Sequence, residues 1–172
     1  GEFAPSPNCL WVSDLTYVWT KEGWLYLCVF IDAYSRTIVG WSAEAHMEAS
    51  MVCESFKMGL RSRHVKHGSL IVHTDRGSQY ASKEFRALLQ IKGASLSMSR
   101  AGDCWDNSMA ESFWATIKGE LLERSVWQTR AQARDAIKEW IDNFYNRYRR
   151  HSSIGYKSPI DYEVLTRESK IA

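Results

Sequence analysis

The sequence lacks the marks of several large protein classes. No stretch of its 172 residues approaches the ~18 apolar residues of a membrane-spanning helix, although 45% of the chain is hydrophobic. The N-terminus has no charged, apolar and cleavage regions in the order of a secretory leader, so the cytosol is the expected compartment. The four cysteines, Cys9, Cys28, Cys53 and Cys104, form no C-x-x-C pair. Three of them lie in apolar or aromatic sequence, so they read as reduced, mostly buried thiols rather than a zinc set or a disulfide framework. No Gly-rich phosphate loop, internal repeat or low-complexity segment is present. Excess charge is also missing: a net +2 is too small to argue for nucleic acid by itself.

The length fits one domain with a single core. Gly1-Glu2-Phe3 reads as a cloning scar, which implies a domain taken from a longer protein. From Leu10 to Trp19, Trp, Val, Thr and Tyr dominate, the composition of a strand. Trp24 to Asp32 is almost continuously apolar, as in a strand buried on both faces, and Thr37 to Ser42 returns after a short turn. Such short connections predict an antiparallel meander. A helix from Ala49 to Val65 precedes a buried strand at Ser69 to His73, which would join the sheet as a parallel crossover. Ser82 caps a helix through Gln90 that Gly93 ends, and Ala94 to Ser99 makes a fifth strand. After a loop from Arg100 to Asp106, a helix carrying Glu111 runs to about Leu122. Thr129-Arg130-Ala131-Gln132 is a capping box, and Ile137, Trp140, Ile141, Phe144 and Tyr148 follow at the spacing of one core-facing helix. The prediction is an α/β domain, a five-stranded mixed sheet with helices on both faces. Trp11, Trp24 and Trp41 are expected to pack the sheet, and Trp105 to be partly exposed in a mobile loop.

Three acids stand out. Asp14 interrupts an apolar strand, where a charge is expensive to bury. Asp75 ends a buried strand, the position beyond which open α/β sheets bind ligands. Glu111 opens a helix further on, with 35 residues between it and Asp75. Each has an ordinary explanation as well. Asp14 could accept hydrogen bonds from a turn, Asp75 could start one, and Glu111 could complete a capping box with Ser108. Together they suit hard-oxygen coordination of Mg²⁺, in which two ions activate an attacking oxygen and stabilise a leaving one. Three such groups at close quarters would repel, so at least one pKa should rise. Lys118, seven residues after Glu111, returns to the same helical face. Between Arg124 and His151 seven basic residues face three acids, and Arg147, Arg149 and Arg150 are the candidates for DNA phosphates. His64 and His67, three apart, read as a solvated face rather than a metal pair.

At these residues the chain resembles the DDE transposases and integrases of the retroviral-integrase superfamily. Within them it is most similar to the catalytic domain of OrfAB-type bacterial insertion-sequence transposases. The motifs are Trp11-Val12-Ser13-Asp14-Leu15-Thr16-Tyr17, Ile31-Asp32-Ala33-Tyr34-Ser35-Arg36, His73-Thr74-Asp75-Arg76-Gly77-Ser78-Gln79-Tyr80 and Asp106-Asn107-Ser108-Met109-Ala110-Glu111-Ser112-Phe113. Tyr145-Asn146-Arg147-Tyr148-Arg149-Arg150-His151 with Ser158-Pro159 adds the family's C-terminal segment. The resemblance covers residues 8–163 as the catalytic core, leaving 1–7 as scar and linker and 164–172 as a tail. It implies an RNase H-like fold, a triad of Asp14, Asp75 and Glu111, and Mg²⁺ or Mn²⁺, two ions with substrate bound. Lys118 falls where the family carries a DNA-contacting base, with His73 and Asn107 in supporting roles. The implied activity is 3′-end hydrolysis and strand transfer in DNA transposition. Its partners would be transposon ends and target DNA, met as a homo-oligomer in the bacterial cytoplasm at the nucleoid. An N-terminal helix-turn-helix region is missing. A nuclease of RNase H or junction type, or a non-catalytic DNA-binding or oligomerisation module, are the competing readings.

Overall fold

The computed structural model describes residues 4–75, 77–98 and 108–168. Strands β1 (Leu10–Thr20), β2 (Gly23–Asp32) and β3 (Ile38–Glu44) form the antiparallel meander that their short connections require. β4 (Ile71–Thr74) and β5 (Ser95–Met98) add in parallel, β4 beside β1, giving the order β3-β2-β1-β4-β5. The expected crossover between β3 and β4 is made by α1 (Ala49–Ser62). Helix α2 (Lys83–Lys92) starts where the Ser82 hydroxyl accepts from the Phe85 N–H, and it stops at Gly93 in the left-handed conformation. Helices α3 (Ser108–Glu120), α4 (Arg130–Glu139) and α5 (Pro159–Glu168) follow.

Each face of the sheet has its own core. On one, Trp11, Phe30 and Val72 pack against Phe56 of α1 and Phe85 of α2. On the other, Val12, Leu27, Val29 and Ile31 meet Phe113 and Ile117 of α3 and Ile137 of α4. β2 contributes to both, which explains its nearly unbroken apolar run. At Gly40 the backbones of β3 and α1 touch: a Cβ there would collide with the Ser55 carbonyl and lie 2.8 Å from the Gly59 nitrogen. Cys28 and Cys53 are buried free thiols, as expected, and burial pushes the Cys28 thiol up to about 11.

Four details depart from the sequence reading. Helix α1 ends before Val65 because Arg63 is already extended. Its guanidinium is engaged by Asn8 at 2.8 Å and Glu163 at 2.7 Å, with Asp32 at 3.4 Å. Burial alone would raise the Glu163 carboxyl, but the Arg63 hydrogen bond, with those from Ser35 and Thr37, holds it below its ordinary value. This network fastens α5 to the β2–β3 turn. The Thr129 cap forms, but the Gln132 side chain reaches Gln128 N–H rather than that of Thr129. After α4 the helix widens into a π-helical turn over Trp140–Tyr145, with Asn146 N–H donating to the Ile141 carbonyl. The extra residue shifts the core face by one position. Tyr145 is therefore buried, whereas Phe144 and Tyr148 face outwards. Trp24, expected in the core with Trp11 and Trp41, is 42% exposed: its ring packs on Tyr17 and Trp19, while the neighbouring Leu25 points to the opposite face and is buried.

Candidate active site

The register of the parallel pair places two of the acids. β4 pairs with only the first four residues of β1, and the last partners are Ser13 and Thr74. The next residues on each strand are Asp14 and Asp75. Neighbouring strands lie about 4.8 Å apart, so the two carboxylates emerge side by side where β4 stops. Beyond that point β1 continues to Thr20 with no strand beside it on that side among the described residues, and the gap is a cleft of about 730 Å³. Asp14 and Asp75 both line it, with Tyr17, Trp24, Gly77 and Gln79.

Neither acid is loosely held. Trp114 Nε1–H donates to Asp14 Oδ2 at 2.8 Å, and the Leu15 N–H donates to Oδ1 at 2.8 Å. Asp75 Oδ1 accepts from the Gly77 N–H at 2.9 Å, the turn interaction that its sequence context suggests. Tyr80, fully buried, pins the loop that follows: its hydroxyl and Ser13 Oγ are 2.8 Å apart behind Asp14. Trp114 and Tyr80 were not singled out from the sequence. Trp114 had one available signal, its position one turn after Glu111 on the same helical face.

Burial raises the Asp14 carboxyl above its ordinary range, and the charges of Asp75 and Glu111 push the same way against the hydrogen bonds from Trp114 and Leu15. A rise of this kind is what crowded acids predict, although desolvation is its larger source. Glu111 sits on the first turn of α3 and is exposed. Among the described residues, no three carboxylate, imidazole or thiol groups stand close enough together to make a metal coordination set. The sheet thus brings Asp14 and Asp75 together and leaves Glu111 within electrostatic reach. As donors the pair suits a hard divalent cation: a carboxylate oxygen can accept more than one hydrogen bond, and both acids border the cleft.

The remaining candidates divide. Lys118 is half-buried on α3 and lines a second cleft that shares Tyr17 and Trp24 with the first. His73 is buried, with Nδ1 3.1 Å from Ser97 Oγ. Arg149 grips Glu120 through Nε and a terminal nitrogen at 2.8–3.0 Å, so its guanidinium already has a carboxylate partner. Arg147 and Arg150 line a separate groove with Tyr156 and Lys157. Asn107 and Trp105 lie outside the described residues.

Two family models described as Integrase core domain match residues 4–104 and 92–159. Among curated relatives, the transposase for insertion sequence element IS904 of Lactococcus lactis is 47% identical over 160 residues, covering 93% of this chain and 63% of the relative. The IS600 uncharacterized 31 kDa protein of Shigella sonnei is 46% identical over 158 residues, covering 91% and 58%. Transposase InsF for IS3A of Escherichia coli K12 is 41% identical over 161 residues, covering 94% and 56%. The chain therefore spans about three fifths of the length of these relatives. Among solved structures, the simian T-cell lymphotropic virus intasome in complex with PP2A regulatory subunit B56 gamma superposes with a TM-score of 0.75 at 16% identity, covering 94% of this chain and 56% of that one. The HTLV-2 integrase catalytic core domain in complex with magnesium gives 0.67 at 18% identity, covering 93% and 99%. The fold is therefore that of the retroviral integrase catalytic cores, an RNase H-like sheet. With one integrase-core model matching more than half of its length and a second continuing to residue 159, the chain belongs to the integrase core domain family.

Proposed function

We propose that this chain is the catalytic domain of an insertion-sequence transposase, cutting and joining DNA with Mg²⁺ or Mn²⁺ held by Asp14, Asp75 and Glu111. The observation that carries the reading is the register that sets Asp14 beside Asp75 at the mouth of one cleft, with the Glu111 charge felt there. Divalent cations bound at these oxygens would supply Lewis acidity to the attacking and leaving oxygens of an in-line displacement. The residues themselves hold and orient. Trp114 and Leu15 fix the Asp14 carboxylate, Gly77 fixes Asp75, and Lys118 offers a cation for a neighbouring phosphate. In the first step a water oxygen bonds to phosphorus and the P–O3′ bond breaks, freeing a 3′-hydroxyl. In the second that hydroxyl oxygen bonds to a phosphorus of the target strand as the target's own P–O3′ bond breaks, leaving a 3′-hydroxyl on the target. The partners in this reading are transposon ends and target DNA, engaged by more than one copy of the protein, since two ends must be joined. The names of the relatives, transposases of insertion sequences, support it.

The test is cleavage and strand transfer on element-end DNA by the whole transposase, comparing the parent with Glu111→Gln. That change keeps side-chain shape and removes the charge. Loss of both products by two orders of magnitude or more is expected. Undiminished strand transfer would remove Glu111 from the site, and cleavage without any joined product would leave a nuclease.

A further inference from the structure

The half of β1 that runs beyond β4 carries a feature that the carboxylates do not use. Tyr17 and Trp19 on β1 stand opposite Tyr26 and Trp24 on β2, all four on one face of the sheet. Three of them are strongly exposed, Tyr17 at 58%, Trp19 at 57% and Trp24 at 42%. The rings brace one another edge to face, with Trp24 4.9 Å from Tyr17 and 4.8 Å from Trp19. Aromatic surface of this extent is normally buried, yet among the described residues these rings stay exposed. Trp24 and Tyr17 form the wall common to the carboxylate cleft and to a second cleft of about 500 Å³. The second cleft is closed at its far end, where the Trp127 carbonyl accepts from the Lys21 N–H. Lys21 and Lys118 line it, opposed by one acid, Glu123.

We infer that this groove binds single-stranded DNA, unpaired nucleotides that flank the phosphodiester held at the carboxylates. The bases would stack on Trp19, Trp24 and Tyr17, and Lys21 with Lys118 would take the phosphates. The inference rests on the proposed reading of Asp14 and Asp75 as a DNA-processing site. Exposed rings interleaved with cations are what single strands require, since every base has a π-face and every linkage a charge. The groove has small-ligand dimensions and runs directly into the acid cleft, which favours a strand leaving that cleft over a second protein. Duplex bases cannot reach the rings, because their faces are stacked on one another.

The experiment compares three DNA forms of equal length by fluorescence anisotropy: a blunt duplex, the same duplex with a short unpaired tail, and the tail strand alone. The parent chain, Trp19→Ala and Trp19→Phe are titrated with each, and thermal melting checks that the variants fold. Trp19 is the variant of choice because most of its ring is outside the core. The parent is expected to bind tailed DNA 5- to 150-fold more tightly than blunt, the range spanned by stacking of one base. Trp19→Ala should bring that ratio close to one, and Trp19→Phe should keep most of it. A parent ratio of one, with blunt duplex still bound, overturns the stacking groove and leaves the proposed activity standing. No binding of any DNA form overturns both. A Trp19→Ala chain that keeps the full tail preference, or whose only change is loss of a dimer in sedimentation, assigns the rings to a protein interface instead.

Discussion

Replacing Trp114 by phenylalanine removes one hydrogen bond and little else. The indole N–H lies 2.8 Å from Asp14 Oδ2, and the rest of the ring packs against Phe113 at a centroid distance of 4.9 Å. A neutral donor to a carboxylate contributes about 1.5–3 kcal/mol, and this one decides which way the Asp14 oxygens face. Phenylalanine keeps most of the apolar volume, so the loss of fold stability should stay near that of the hydrogen bond itself, about 2–3 kcal/mol. The loss at the site should be larger in proportion. A group that orients a metal-binding carboxylate is typically worth 10- to 100-fold in affinity. We therefore expect calorimetric titration with Mn²⁺ to show binding to Trp114→Phe at least tenfold weaker than to the parent, with the melting curve still cooperative. Trp114→Phe placed on Asp14→Asn should add almost nothing further, because the indole acts through that carboxylate. Mn²⁺ affinity within twofold of the parent, in a folded variant, would show that the hydrogen bond is only a packing detail.

Four further outcomes follow from other contacts. Gly40→Ala forces a Cβ into the α1 backbone, so unfolding should shift down by about 2–3 kcal/mol, some 5–10 °C in Tm, measurable by calorimetry. Arg149→Ala should lower stability by about 1–2 kcal/mol, because it strands Glu120. Arg150→Ala should leave stability alone and reduce the salt slope of DNA binding by about one; equal slopes for Arg150→Ala and the parent would remove Arg150 from the DNA. Burial, with the charges of Arg149 and Arg36, lowers the His151 imidazole to about 4. The folded state thus binds the proton less readily than the unfolded one. The associated stability is complete above about pH 6.5 and is lost as the pH falls towards 4. After allowance for solvent screening the loss should be about 1–2 kcal/mol, and denaturant melts of His151→Phe between pH 7 and 4.5 should show a shallower decline.

The meander, the crossover and the acid pair were legible because each rests on local rules. Short turns enforce antiparallel neighbours, a helix between strands enforces a parallel one, and a charge at the end of an apolar run stands out. The geometry that joins Asp14 to Asp75 was legible only as a condition, since register depends on where β4 stops. What escaped the sequence was set by tertiary contacts. Phe144 and Tyr148 fit a regular helical stripe, and only the packing of Tyr145 against Phe113 and Trp140 explains the added residue. Trp24 looked like core because its own strand is core; whether a helix covers that end is a long-range question. Arg149 carries the same charge as its neighbours, and its commitment to Glu120, 29 residues away, has no local signature.

The widened turn over Trp140–Tyr145 also governs everything that follows it. Each residue of a helix advances the azimuth by about 100°. Excising one residue there would restore a uniform spiral and swing the Arg147–Arg150 stretch a quarter-circle or more around the axis. Asn146 would then lose its grip on both backbone groups of Ile38, and α5 would be carried away from its clasp. The compass bearing of this protein's most cationic segment is thus fixed by a single surplus amino acid.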